Sequence, residues 1–448
     1  MKIHFIGIGG IGVSALAKYY LENGVKISGF DLNSSEITEN FKKWGVKIFI
    51  QNSKLKYEKE KLKAEIKNSD LIIYSPAVSK DDWQIKLAKK IKIKCQSYPE
   101  ALGELTKKYF TIAVCGTHGK STTTALIGLI LTKAKLDPTV IVGTKLREFQ
   151  NSNCRVGKSK YLVIEADEHF ASFLNYWPKI IVLTTLDPDH LDFYKNFKNY
   201  INAFKNFVSH LPKEGFLILN FDDKNIRRIF SKIKIKKNWY SLKEEKAKKI
   251  KKILKIPGDF NVSNAFAAFK VAKILKIKED IILKALSQYR GSWRRLEEEK
   301  IFINGKNVKL ISDYGHHPTE VKVTLEAIRE KYKNKKILCV FQPHQYQRTY
   351  YLFNDFVKVF RNLKLDKIII TDIYTVPGRE EESIIKKISS EKLVREIKKD
   401  QKVDYIDYIP KQKLVNFLKE IIPKFNYDIL VIMGAGDIYK LKDDFKNN

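Results

Sequence analysis

The stretch FTIAVCGTHGKSTTTALIGLILTKA, residues 110–134, decides the fold. Phe110–Cys115 is a short unbroken apolar run, the pattern of a strand buried on both faces of a parallel sheet. A glycine turn follows at once, and a helical pattern opens on Lys120 and Ser121. A strand passing to a helix through such a turn gathers backbone N–H groups and a helix N-terminus around an anion. The spacing is that of the phosphate loop GxxxxGK[ST], except that Val114 stands where its first glycine belongs. The rest keeps its logic. Gly116, Thr117, His118 and Gly119 wrap phosphates, Lys120 reaches the β and γ oxygens, the Ser121 hydroxyl suits Mg²⁺, and Thr122 completes the nucleotide-binding set. The competing reading is a glycine-rich turn with no ligand; the strand–loop–helix context favours a nucleoside triphosphate.

Two further segments begin the same way. Lys2–Ile8 predicts a strand running into Gly7-Ile8-Gly9-Gly10-Ile11-Gly12 and a helix-like SALAKYYLENG. That turn satisfies GxGxxG, and Asp31 closes the second strand 19 residues after Gly12, where a ribose-binding acid would sit. The pattern is specific for diphosphate-bearing nucleotides and not for nicotinamide; a tight turn without ligand is the plainer alternative. Lys336–Phe341 runs into QPHQYQRTYYLFNDFVKVF as a third, less regular unit. With further strands at Ile27–Asp31, Leu71–Ser75, Tyr161–Glu165, Ile180–Thr185, Lys367–Thr371 and Asp428–Met433, the class is α/β with parallel sheets. Cuts near 108 and 295 divide the chain into 1–108, 109–295 and 296–448.

Chemistry-bearing residues cluster at strand ends. Glu165-Ala-Asp167-Glu168 follows YLVI, and Asp187-Pro-Asp189-His190 follows IIVLTT. Carboxylate oxygens suit Mg²⁺, which keeps waters and bridges phosphates; one acid or histidine alone would pass for a cap or surface charge. Gly258-Asp-Phe-Asn261-Val-Ser-Asn264 opens an alanine-rich helix, where an asparagine is ordinarily a cap or a surface residue. Asp313-Tyr314-Gly-His316-His317-Pro and Gln342-Pro-His344-Gln345-Tyr-Gln-Arg348 hold three of the eight histidines, each before a helical pattern. Those histidines read equally as helix starts or as a site.

Composition bounds the rest. The 448 residues are 44% hydrophobic and 12% aromatic, which excludes a mainly disordered chain. No apolar run nears the ~20 residues of a membrane helix, so no membrane insertion is expected. Four scattered cysteines form no CxxC pair, which fits a reducing cytoplasm and argues against structural zinc or disulfides. The net charge of +33 suggests nucleic acid at first. However, 72 of the 84 basic residues are lysine and they are dispersed, as on solvated faces; no specific nucleic-acid partner is expected.

Taken together, GIGGIGVSALA, GTHGKSTTT, EADE, DPDH, DYGHHPTEV, FQPHQYQRT and GAGDIY occur in the order seen in the Mur ligases, which the chain resembles from residue 7 to 439. DYGHHPTEV with FQPH points to the branch that adds L-alanine to UDP-N-acetylmuramate. The resemblance implies three domains: a Rossmann-like UDP-substrate domain, a central P-loop ATPase and a Rossmann-like C-terminal domain that brings in the amino acid. It implies ATP and Mg²⁺ as cofactors, with Lys120 on phosphates and Ser121, Glu165 and His190 around the metal. Asn261 and Asn264 would lie near adenine, and Arg294 would join the nucleotide-binding set. Gly9, Gly10, Gly12, Asp31 and Ser75 would serve the nucleotide sugar. Tyr314, His316, His344, Gln345 and Arg348 would surround the incoming alanine, with His316 a candidate proton acceptor of ordinary pKa near ~6.5. One departure stands out: relatives usually carry arginine where this chain has Gln345. Three other readings remain open: a nucleotide-dependent oxidoreductase, a nucleic-acid-binding ATPase, and a ligase of the same family that adds a preformed tripeptide. Oligomeric state is not legible.

Overall fold

The structure is a computed structural model that describes residues 1–51, 55–376, 380–400 and 403–445. Its strands fall into three sheets. The first holds β1 (Lys2–Ile6), β2 (Lys26–Asp31), β3 (Lys47–Ile50), β4 (Leu71–Tyr74) and β5 (Lys94–Ser97), in the spatial order 3-2-1-4-5. All its pairings are parallel. The order reverses at β1, so the glycine turn after Ile6 lies at the switch point where such sheets open a crevice. The expected strand to Ile8 stops two residues early because Gly7 takes φ +80° and starts the turn.

The second sheet contains β6 (Phe110–Cys115), β7 (Thr139–Leu146), β8 (Ser152–Arg155), β9 (Tyr161–Glu165), β10 (Ile180–Leu183), β11 (Phe216–Asn220) and β12 (Lys237–Tyr240). Their order is 12-11-10-6-9-7-8. β6, the strand of the phosphate loop, is flanked by β9 and β10, so the segments following both of those strands leave the sheet beside the loop. Only β8 runs antiparallel to its neighbour.

The third sheet contains β13 (Glu297–Ile303), β14 (Lys306–Asp313), β15 (Ile337–Phe341), β16 (Lys367–Ile370), β17 (Ile406–Tyr408) and β18 (Ile429–Met433), ordered 13-14-18-15-16-17. Its inner strands β15, β16 and β18 are almost wholly apolar because both faces are covered. Ile311, Cys339, Phe341, Ile368, Val431 and Met433 pack on one side with Val321, Leu325, Phe356 and Phe360. Leu310, Leu338, Val340, Ile369 and Ile432 pack on the other with Leu414, Leu418 and Ile422. The antiparallel β13–β14 hairpin turns at Asn304 and Gly305, both at positive φ (41° and 84°), as a two-residue hairpin turn requires.

Two compact units result. One comprises Met1–Asp187, Ile201–Ile253 and Ser263–Gln288; the other comprises Pro188–Tyr200, Leu254–Val262 and Tyr289–Asn448. In the first, the helix Ile11–Glu22 that follows the glycine turn is fastened to β8. Asn153 Nδ2 donates to Ile11 O (2.5 Å) and to Ser14 Oγ (2.8 Å), and Lys18 Nζ donates to Ser152 Oγ (2.9 Å). The Lys145–Glu36 ion pair (2.7 Å) adds to that join. Among the described residues no helix is long and apolar enough to cross a membrane.

Candidate active site

The phosphate loop is built as its sequence demands. Gly119 precedes the helix Lys120–Lys133 at φ +81°, and a Cβ there would come within 2.3 Å of Asn264 Oδ1. Only glycine fits that approach, so Asn264, expected near adenine, lies against the phosphate loop. The loop is also clamped to the segment after β10. Thr117 Oγ1 donates to Asp187 O (2.9 Å), His118 N donates to Thr185 Oγ1 (2.9 Å), and the His118 ring is 3.1 Å from Asp187 Oδ2. A rigid loop at a helix N-terminus is what a triphosphate needs.

Lys120 points inward. Its Nζ donates to Gly116 O (2.8 Å), to Thr117 O (3.3 Å) and to both oxygens of Glu168 (3.0 and 2.9 Å). Burial works against the lysine's charge, but Glu168, Asp167 and Glu165 hold its pKa above the ordinary value. Burial pushes Glu168 up to about 7 despite Lys120. The two-oxygen contact is ion-pair geometry.

Ser121 and Glu165 are brought together: Ser121 Oγ donates to Glu165 Oε1 at 3.0 Å, and Glu165 Oε2 accepts from Gly143 N at 2.8 Å. A hydroxyl and a carboxylate side by side under a phosphate loop are the hard-oxygen set that Mg²⁺ takes. Thr122 is buried in the first helical turn behind them.

At the first glycine turn, Asp31 Oδ2 accepts from Gly9 N at 2.8 Å, so the acid expected on a ribose braces the turn. Gly10 caps the helix Ile11–Glu22 with no side-chain hydrogen bond. Gly12 packs under the ring of Tyr98, and Ser75 packs against Gly7 while its Oγ accepts from Ala77 N (3.2 Å).

The second unit holds the remaining residues. His190 takes φ +52° and its Nε2 is 3.6 Å from Asp189 Oδ2. Arg348 is buried and donates through Nε to Asp189 Oδ1 (3.2 Å), with Nη1 3.3 Å from His344 Nδ1. Burial would raise the Asp189 carboxyl; Arg348 and then His190, His317 and His316 pull it well below the usual range. A cleft lined by Asp189, His190, Asp192, Gln345, Arg348 and Tyr351 opens beside this pair. His344 stacks on Tyr374 and meets His316 edge-on at 5.6 Å. His316 differs from its expected pKa: burial and then Arg348 hold it down to about 4, so it is neutral at pH 7 and a weak base. Its Nδ1 is 3.1 Å from Tyr314 O.

Two residues have structural contacts that the sequence did not suggest. Arg294 is buried, donates to Gly434 O and to Gly436 O (3.0 Å), and lies over the rings of Trp293, Tyr314 and Tyr439. Asn261 Nδ2 donates to Pro257 O at 2.7 Å. Lys309 is engaged by Glu298 (3.1 Å) and Tyr332 (2.9 Å). Glu168 and Asp189 acquire partners that the sequence reading did not assign; their only sequence signal was their place at strand ends.

Three family models match the chain: the Mur ligase family catalytic domain at residues 2–110, the Mur ligase middle domain at 114–272, and the Mur ligase glutamate ligase domain at 294–436. The UDP-N-acetylmuramate–L-alanine ligase of Clostridium tetani (strain Massachusetts / E88) is 39% identical, the match covering 99% of this chain and 97% of that one. The enzyme of the same name from Aquifex aeolicus (strain VF5) is 37% identical over the same shares. The crystal structure of UDP-N-acetylmuramate-alanine ligase from Thermotoga maritima superposes with a TM-score of 0.78 at 25% identity, covering 100% of this chain and 98% of that one. A murein peptide ligase from Psychrobacter arcticus, 19% identical with a TM-score of 0.69, shares the fold.

Proposed function

This chain belongs to the Mur ligase family, and from that premise we propose that it joins L-alanine to UDP-N-acetylmuramate, with hydrolysis of ATP, in peptidoglycan precursor synthesis. The observation that carries the reading is the likeness, along nearly the whole chain, to relatives bearing that activity in their names. We assign residues 1–108 to the UDP substrate, 109–295 to ATP and 296–448 to the amino acid. ATP places the reaction in the cytoplasm.

A carboxylate is a poor acyl donor because oxide does not leave. Transfer of the γ-phosphoryl group to a muramate carboxylate oxygen gives an acyl phosphate, whose leaving group is phosphate. Positioning and charge stabilisation dominate such transfers. The backbone N–H groups of the Gly116–Gly119 loop orient the phosphates, and Lys120 spreads charge on the transferring group. Ser121 and Glu165 would hold Mg²⁺, which when bound neutralises phosphate oxygens. The alanine nitrogen attacks the acyl carbon, the C–O bond to phosphate breaks, and the amine proton passes to phosphate. His316, with its pKa near 4, is too weak a base for that proton and orients the site through Tyr314 instead. Arg348, steadied by Asp189, faces the alanine carboxylate.

Phosphate release with UDP-N-acetylmuramate against L-alanine, glycine, L-serine and the tripeptide tests the reading. L-Alanine should give the highest kcat/KM. Preference for the tripeptide, or release that needs no nucleotide sugar, would overturn it.

A further inference from the structure

Glu168 has no part in the reaction above, yet it is completely buried at the phosphate loop and grips the loop's lysine with both oxygens. An ammonium has three protons to donate. Lys120 directs its own toward Gly116 O, Thr117 O and the Glu168 carboxylate, at 2.8, 3.3 and 2.9 Å. Placed so, the lysine has no donor left for a phosphate oxygen. Binding a triphosphate therefore requires one of these contacts to break. Of these three partners Glu168 is the anion, and it carries the same sign as the arriving phosphates. Its carboxylate and a phosphate oxygen compete for one cation, and each repels the other.

We propose that Glu168 is a built-in phosphate surrogate: it holds the Lys120 ammonium inside the loop until the β- and γ-phosphates of ATP displace it. The inference rests on reading Gly116–Ser121 as the ATP loop. Glu168 acts through Lys120 and is a positioning residue. It sets the affinity for phosphates that reach the lysine and leaves the nucleoside and α-phosphate untouched.

Glu168→Gln keeps the shape and removes the charge. Calorimetric Kd values for ATP, ADP and AMP, measured on the wild type and the variant, test the proposal. A hydrogen bond to a charged carboxylate exceeds a neutral one by enough to change Kd roughly five-fold. ATP and ADP should bind about that much tighter to Glu168→Gln, while AMP is unchanged. ATP bound equally or more weakly by the folded variant, or AMP tightened as much as ATP, would overturn the proposal. If Glu168→Gln fails to fold, Glu168→Asp draws the carboxylate back from Lys120, and an unchanged ATP affinity there would overturn it as well. Wild-type protein that binds no ATP would instead bring down the reading of the loop itself.

Discussion

Gln345 has a backbone that L residues seldom adopt, φ 71° and ψ 138°, and it lines the cleft beside Arg348. The strain is common to any side chain with a Cβ, so glutamine and arginine bear it alike. What differs is the head group. Arg348 already shares its Nε with Asp189, and Gln345 beside it offers a neutral amide where the family resemblance leads one to expect a second guanidinium. A charged, often two-pronged bond to carboxylate exceeds a neutral one by on the order of 1 kcal/mol. Gln345→Arg should therefore lower the KM for L-alanine several-fold and leave kcat nearly unchanged; a KM unchanged or higher would show that Gln345 does not face the carboxylate. At this scale the sequence was informative where neighbours along the chain make the site, as with Lys120 and Ser121. It was silent where the partner is remote. Arg294 finds its carbonyls 140 and 142 residues away, and Arg348 finds Asp189 at a separation of 159. No local pattern marks such pairs, so Arg294 reads as a ligand contact in sequence and as a buried pin in the fold.

Among the elements, the strand–loop–helix around β6 was legible because its requirements are local: an apolar strand, glycines and a helix start. The reason Gly119 must be glycine was not, since Asn264 comes from a distant helix. Gly119→Ala should cost about 1–3 kcal/mol from the left-handed backbone alone and also push Asn264 aside. The expected outcome is a lower Tm together with weaker ATP binding, and Asn264→Ala in the same background should recover part of the Tm. A variant with wild-type Tm and ATP affinity would refute the packing described here. The β13–β14 hairpin carries a plain local signal, the Asn304-Gly305 pair at its turn. Sheet order was beyond sequence because parallel crossovers leave no local trace of which strands become neighbours.

For the whole molecule, two histidines in different units resist protonation. His4, on β1 of the first sheet, is fully buried with Ser28 Oγ 2.9 Å from its Nδ1; burial holds it down to about 4, with Lys2 adding to the effect against Gln84 and Glu65. His316 is likewise held at about 4. Between pH 6.5 and 4 the unfolded chain binds protons that the native chain refuses. Unfolding free energy therefore falls as pH drops through that window, by up to about 3 kcal/mol for each histidine, and is unaffected by them above it. His4→Gln should flatten the decline of Tm with acidity; parallel curves for wild type and variant would show that His4 is not the group responsible. The charge of +33 belongs to this scale too: most of the 84 basic residues are dispersed lysines, on an enzyme whose two nucleotide substrates are anions.

The central claim is that ATP activates the muramate carboxylate before alanine attacks. UDP-N-acetylmuramate labelled with ¹⁸O in its carboxylate decides it. Phosphoryl transfer to that carboxylate leaves one labelled oxygen in the phosphate released when the amide forms. The account predicts one ¹⁸O per phosphate, dependent on L-alanine and lost with Lys120→Ala. Unlabelled phosphate accompanying the formation of UDP-N-acetylmuramoyl-L-alanine would contradict it.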